Sequence, residues 1–323
     1  MCDSSRYRRS IDMMVCPMNA DVAGPERLCL ACGAHDPIRS GEAVWPLGWH
    51  CSGCGRGVAE SEGVPLFAPG LADSANGFDP IFFDKLVEVE ATHFWFVARN
   101  ELILGLVNRF FSSATRYLEI GCGNGAVLQA IAKSRQWQRL VGSELHPAGL
   151  KHARARLPQG VEFVQMDARA IPAANTFDLI GAYDIVEHVA EDETVLRALR
   201  GATAAGGGAI ISVPQHPSLW SRWDEIGYHK RRYRIGELEA KLKRNGFDIL
   251  FSSSFMFVLL PLMALSRLNA RVATSDAQID REISLGLATN AVLTAILRAE
   301  VRLTLAGLRW PIGGSRVVAA RAV

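Results

Sequence analysis

Four cysteines occur as Cys29-Leu-Ala-Cys32 and Cys51-Ser-Gly-Cys54, a C-x2-C-x18-C-x2-C spacing. Thiolates at this interval close a tetrahedral site, and four of them leave a zinc ion no open position, so the chemistry expected there is structural. Farther along, Leu118-Glu119-Ile120-Gly121-Cys122-Gly123-Asn124-Gly125 predicts a strand running into a glycine-rich turn, with a helix beginning near Ala126. Glycines let backbone approach a ligand closely and leave helix N-terminal amides facing it, which suits a nucleotide-like molecule. Acids follow at regular distance: Glu144 stands 23 residues after Gly121, and Asp167 23 residues after Glu144. A carboxylate suits a ribose diol because it accepts two hydrogen bonds. Beyond them, Asp184-Ile-Val-Glu187-His188 and His229 supply groups that take up a proton or ligate a cation.

The elements that must carry these groups are legible as short apolar runs. Tyr117 to Ile120, Leu140 to Ser143, Val161 to Val164, Phe177 to Ala182 and Ala209 to Val213 alternate with helix-like segments, the pattern of a parallel, doubly wound α/β sheet. A helical pattern precedes them from Ile81 to Phe111. Ile235 to Asn245 is an amphipathic helix stopped by Gly246, Phe247 to Phe251 another strand, and Arg316 to Ala320 the last. Residues 255–310 hold too much apolar helix for a hairpin loop and are expected as an insertion. The expected division is a flexible tail at 1–25, a zinc ribbon at 26–68, a linker at 69–80 and a cofactor-binding domain at 81–323.

The glycine loop alone also satisfies a relaxed dinucleotide fingerprint, Gly121-x-Gly123-x-x-Ala126 with Glu144 beyond it. Three further features decide: Glu119 two residues before the first glycine, Asp167 ending the third strand, and the fourth strand closing on Tyr183-Asp184-Ile185-Val186-Glu187-His188. With them, residues 90 to 254 and the last strand resemble the class I S-adenosylmethionine-dependent methyltransferases. The resemblance implies a Rossmann-like sheet whose glycine loop (Gly121, Gly123, Gly125) passes under the methionine part of S-adenosylmethionine. It implies that Glu119 fixes that end, Glu144 holds the ribose hydroxyls, and Asp167 and Ala168 contact adenine. Asp184 lies beside the same cofactor. The Asp184-x-x-Glu187-His188 run is similar to an element of ubiquinone-type O-methyltransferases, some of which hold a divalent cation there, with Asp in place of the more usual Glu.

The chain has 323 residues, 49% of them hydrophobic, and 35 Lys and Arg against 33 Asp and Glu. That composition excludes disorder and argues against polyanion binding through bulk charge, so nucleic acid is not the expected partner. The region from Lys230 to Arg244 carries seven cations against two acids, a local excess that points to a discrete anionic group on the acceptor. The odd count of seven cysteines and the lack of a secretory h-region fit a reducing cytoplasm. The charge-free stretch Ile249 to Ser266 is interrupted by serines and Pro261, which argues against a transmembrane span and leaves peripheral contact with the inner membrane face open.

The expected activity is therefore methyl transfer from S-adenosylmethionine to an oxygen of a small-molecule, sugar or lipid-linked acceptor, with His188, His229 and Asp184 as the catalytic candidates. RNA methylation using the ribbon, and a non-catalytic cofactor-binding scaffold, are the rival functions. Nothing in the sequence speaks to oligomeric state. Cys29, Cys32, Cys51 and Cys54 are the zinc ligands expected, and a divalent cation near Glu187 and His188 is the further metal considered.

Overall fold

The computed structural model describes residues 24–72, 81–270 and 285–323. Most of the expected tail and linker, Cys2 and Cys16, and the middle of the expected insertion lie outside them.

Five strands form the parallel core: β5 (Arg116–Ile120), β6 (Arg139–Glu144), β7 (Glu162–Gln165), β9 (Phe177–Tyr183) and β10 (Thr203–Pro214). Two late strands, β11 (Phe247–Phe255) and β12 (Ser315–Ala322), add an antiparallel edge, with Ile211 opposite Val318 in register. At the other edge stands a hairpin of β3 (Ala59–Ser61) and β4 (Val64–Leu66), giving the order β11-β12-β10-β9-β5-β6-β7-β4-β3. The chain therefore winds outward through β6 and β7, then returns to place β9 on the other side of β5. In open α/β sheets this reversal leaves a crevice at the carboxyl ends of the strands, where ligands bind.

Alternation along β5 sorts its side chains. Leu118 and Ile120 join one core with Val141, Ile180, Ile211 and the face of α6 (Asp192–Ala202). Tyr117 joins the opposite core with α3 (Phe94–Phe110) and α4 (Ala126–Ser134). Helix α5 (Pro147–Arg156) packs on this second side, and α8 (Glu237–Arg244) on the first.

The single helical pattern expected over 81–111 is two helices, α2 (Ile81–Val89) and α3. The break has a local cause: His93 takes an extended backbone and its ring accepts from the Trp95 amide, capping a new helix start. Within the expected insertion lie α9 (Leu260–Ala270) and α10 (Leu287–Ala306). Helix α10 crosses α3 so closely that a Cβ on Gly105 would fall 2.4 Å from Leu305 Cδ1. No described helix is long and apolar enough to cross a membrane.

The cysteine block is joined to the larger sheet. Strand β1 (Glu26–Leu28) pairs with β2 (His35–Pro37) and also with β8 (Ala173–Ala174), and Leu66 of β4 pairs in parallel with Gln165 of β7. The Trp45 indole donates to Pro172 O at 2.8 Å, and the Val44 amide to Glu162 at 2.6 Å.

Candidate active site

The glycine loop leaves β5 at the reversal point. Gly121 has φ +64°, and a Cβ there would meet Ile185 Cδ1 at 2.1 Å, so both conformation and space demand glycine. The Cys122 amide donates to Ser143 O at 2.8 Å, holding the loop against β6. Helix α4 then starts after Gly125 without a side-chain cap, leaving its first amides to other acceptors. Gly125 itself sits behind the loop, where a Cβ would crowd Leu157 and Ala153 of α5.

The loop opens on a cleft of roughly 1130 Å3 that collects most of the expected residues. Glu119, Gly121, Gly123, Glu144, Asp167, Ala168, Asp184, Glu187, His188 and His229 all line it. Glu119 is buried, accepts from the Tyr117 hydroxyl at 3.0 Å, and has its carboxyl pushed up to about 8 by burial. Glu144 accepts from the Gly123 amide at 3.0 Å and from the Leu145 and His146 amides at 2.8 and 3.1 Å. It thereby ties the glycine loop to the end of β6. Asp167 is held by its neighbour Arg169, whose Nη2 lies 2.8 Å from Oδ2.

Asp184 closes this half of the cleft in the left-handed region, at φ +55°. It accepts from Arg99 Nη1 at 2.6 Å. The Arg99 guanidinium stacks 4.4 Å over the Trp95 ring, and its buried Nε has no partner among the described residues. Reasoning from sequence passed over Arg99; the signal available was its place four residues after Trp95, at the start of an apolar helix.

The other half is built around Asp224, in the short helix α7 (Arg222–Ile226). Asp224 is fully buried and accepts from the Ser221 amide at 2.8 Å, His229 Nδ1 at 2.9 Å and Arg232 Nε at 2.7 Å. Burial alone would raise its pKa, but the His229 hydrogen bond and the Arg232 charge outweigh it and bring the carboxyl to about 2. His229 Nε2 is thus turned toward Glu187, with 3.9 Å to Oε1. Asp224 was missing from the sequence reading because its role depends on a loop fold that brings it beside His229.

Glu187 is wholly buried, and neither of its carboxylate oxygens has a hydrogen-bond partner among the described residues. Burial, then the Asp184 charge, pushes its pKa well above the carboxylate range. His188 stands perpendicular to His229 with ring centroids 4.7 Å apart, and burial with the His229 charge pushes it down to about 3, leaving it neutral. One ligand atom from each of Glu187, His188 and His229 falls within 4.8 Å of the others.

Four of the seven cations in the basic segment are taken up in ion pairs, while Lys230 lines the cleft. Arg231 pairs with Asp192 at 2.9 Å, Lys241 with Asp192 and Glu237, Arg244 with Glu193 at 2.8 Å, and Arg232 with Asp224. These are structural pairs between α6, α8 and the segment from α7 to α8, so most of the local excess of cations answers nearby acids, and Lys230 is the cation of the segment's start that faces the cleft.

Away from the cleft, Cys29, Cys32, Cys51 and Cys54 place their sulfurs within 4.8 Å of one another. Each knuckle is turned by a glycine in the left-handed region, Gly33 at φ +75° and Gly55 at φ +72°, whose amides return to Cys29 O and Cys51 O. The donor set and turn geometry fit a tetrahedral zinc.

A reversed parallel sheet, a glycine loop at the reversal and a strand-end acid on each neighbouring strand define a Rossmann-like cofactor domain. Residues 118–211 match the family model described as a methyltransferase domain, so the chain carries a class I S-adenosylmethionine-dependent methyltransferase domain. A trans-aconitate 2-methyltransferase of Paracidovorax citrulli is 34% identical over 134 residues, which cover 40% of this chain and 51% of that protein. A ubiquinone biosynthesis O-methyltransferase of Aeromonas salmonicida is 33% identical over 103 residues, covering 30% of this chain and 42% of that protein. The chain spans about half the length of the curated relatives it matches. A solved complex of the Haloferax volcanii Trm112 methyltransferase activator with a methyltransferase shares the fold, at a TM-score of 0.50 and 13% identity, over 75% of this chain and 94% of that one.

Proposed function

We propose that this chain transfers a methyl group from S-adenosylmethionine to an oxygen of a small acceptor, with His229 as the base. The observation that carries the reading is the single cleft in which the glycine loop and its acids face the Asp224–His229 pair. When bound, the cofactor supplies a methyl group on a sulfonium, which leaves as a neutral thioether.

The chain's own residues divide the work. Glu119 and Arg99 hold the charged amino-acid end of the cofactor, Glu144 the ribose diol, and Asp167 and Ala168 the adenine edge. Asp224 Oδ1 accepts a hydrogen bond from His229 Nδ1–H and so fixes the tautomer that leaves Nε2 free to take the acceptor's hydroxyl proton. Burial of the surrounding side chains excludes competing water. Four thiolates hold one structural zinc in the N-terminal block.

A second reading rests on Glu187. An ionised carboxylate buried without a hydrogen bond is costly unless a proton or a cation answers it. Glu187, His188 and His229 fit a divalent cation, which would orient the acceptor oxygen and leave His229 as a ligand.

Labelled cofactor incubated with fractionated small-molecule, lipid and RNA extracts tests the proposal. Label is expected in a small-molecule or lipid fraction, with His229→Ala slowed about 10²–10⁴-fold while cofactor affinity is kept. Label in RNA alone, or full turnover by His229→Ala, contradicts it. Turnover lost in chelator and restored by Mg²⁺ or Mn²⁺ favours the cation reading.

A further inference from the structure

One apolar part of the cleft lining has no place in the chemistry described so far. It is supplied by the residue after β11, by α9 and by α10: Met256, Leu259, Leu262, Met263, Ser266 and Leu293 line the cavity, and none of the described lining side chains here is charged. Its inner part is packed, with Leu259 and Met256 buried in the same core as α3 and β12. Its outer part is not. Leu262 is 54% exposed although it lines the cleft, Leu265 one helical turn farther along α9 is 57% exposed, and Leu287 and Val292 of α10 are exposed at 91% and 59%. Core packing accounts for the buried half of these helices and leaves the exposed half unexplained, since a solvent-facing helix surface is ordinarily polar.

From this apolar, part-exposed lining we infer that the acceptor is an amphiphile, its hydroxyl at His229 and a hydrocarbon chain lying along the α9 and α10 lining toward Leu262. The inference rests on the methyl-transfer reading and adds the class of acceptor. A hydrocarbon chain is the occupant that the wall fits. It asks for no hydrogen bonds, and the described lining residues of the wall offer no charge. Two methionines, unbranched and adaptable, suit a chain without fixed shape. The roughly 1130 Å3 of the cleft exceeds the range of about 300–1,000 Å3 that a single small-ligand site occupies, leaving space beyond the cofactor.

Calorimetric titration of 4-alkylphenols, from butyl to decyl, into protein saturated with S-adenosylhomocysteine tests this. Each methylene laid on the wall should raise affinity about fourfold, the factor equivalent to roughly 0.8 kcal/mol per buried methylene. Leu262→Glu, at an exposed position that the fold does not need, should flatten the series, and Leu262→Met should restore it. No binding by any phenol, a flat series in the unaltered protein, or an equal slope in Leu262→Glu would overturn the inference. Failure of S-adenosylhomocysteine itself to bind would instead refute the cofactor reading on which it rests.

Discussion

Glu119 stands one residue before the end of β5 with its carboxyl buried and held up to about 8, against 4.5 for a free glutamate. Between those values the folded side chain keeps a proton that the unfolded one has lost, so apo stability declines as pH rises through the interval. A cofactor ammonium beside the carboxylate favours the ionised form. The affinity for S-adenosylhomocysteine should therefore rise with pH, by about tenfold per unit while Glu119 is mostly protonated, and level off above about 8. Calorimetry at several pH values checks the slope, and Glu119→Gln should remove it. Arg99 belongs to the same corner: its pair with Asp184 places a cation beside the anion at 2.6 Å, a preformed match for a zwitterion.

At the scale of elements, the glycine loop depends on Ile185, which follows β9. Gly121→Ala would force a Cβ into the Ile185 side chain and strain a residue at φ +64°. The expected cost is about 1–3 kcal/mol of stability together with loss of cofactor affinity, read by thermal melting and calorimetry. Ile185→Ala in the same chain should recover only part, because it relieves the clash and not the backbone strain.

The parallel strands were legible in the sequence because each is a short apolar run buried on both faces, and their neighbours follow from the order of the runs. The helix after Gly121, the fourth-strand acid and the cysteine knuckles were legible for the same local reason. Strand β8 is only Ala173–Ala174 and carries no pattern, since its existence depends on β1 lying beside it. The pairing of β4 with β7 was equally hidden, resting on the single register Leu66 opposite Gln165. Within the site, Asp224 and Arg99 stayed hidden because each acts through a residue distant in sequence or brought round by a loop. Charge counted along the chain overstated the basic segment because it omits Asp192 and Glu193 on α6, which meet Arg231, Lys241 and Arg244 in space and leave Lys230 at the cleft.

For the molecule as a whole, the cysteine block and the cofactor sheet share hydrogen bonds. Gln165, fully buried in β7, donates to Ala68 O at 2.8 Å and to Leu145 O at 3.0 Å, linking the segment after β4 to the residue beside Glu144. Loosening the knuckles should thus be felt in the cleft. Elemental analysis should find one structural zinc per chain, removable by chelator under conditions that strip thiolate sites. Cys32→Ser should lower the melting temperature by about 4 °C or more and weaken cofactor binding modestly. Unchanged melting and affinity in that variant would show the block to be an appendage.

The most direct test of the central claim is a calorimetric titration of S-adenosylhomocysteine into the unaltered protein and into Glu144→Ala. Glu144 sits 8% exposed at the end of β6, where its carboxylate holds the glycine loop and faces the cleft. Binding at one molecule per chain is expected, weakened about 10–100-fold in the variant, the worth of hydrogen bonds to a charged group. Absence of binding to the unaltered protein, or equal affinity in Glu144→Ala, would contradict the account.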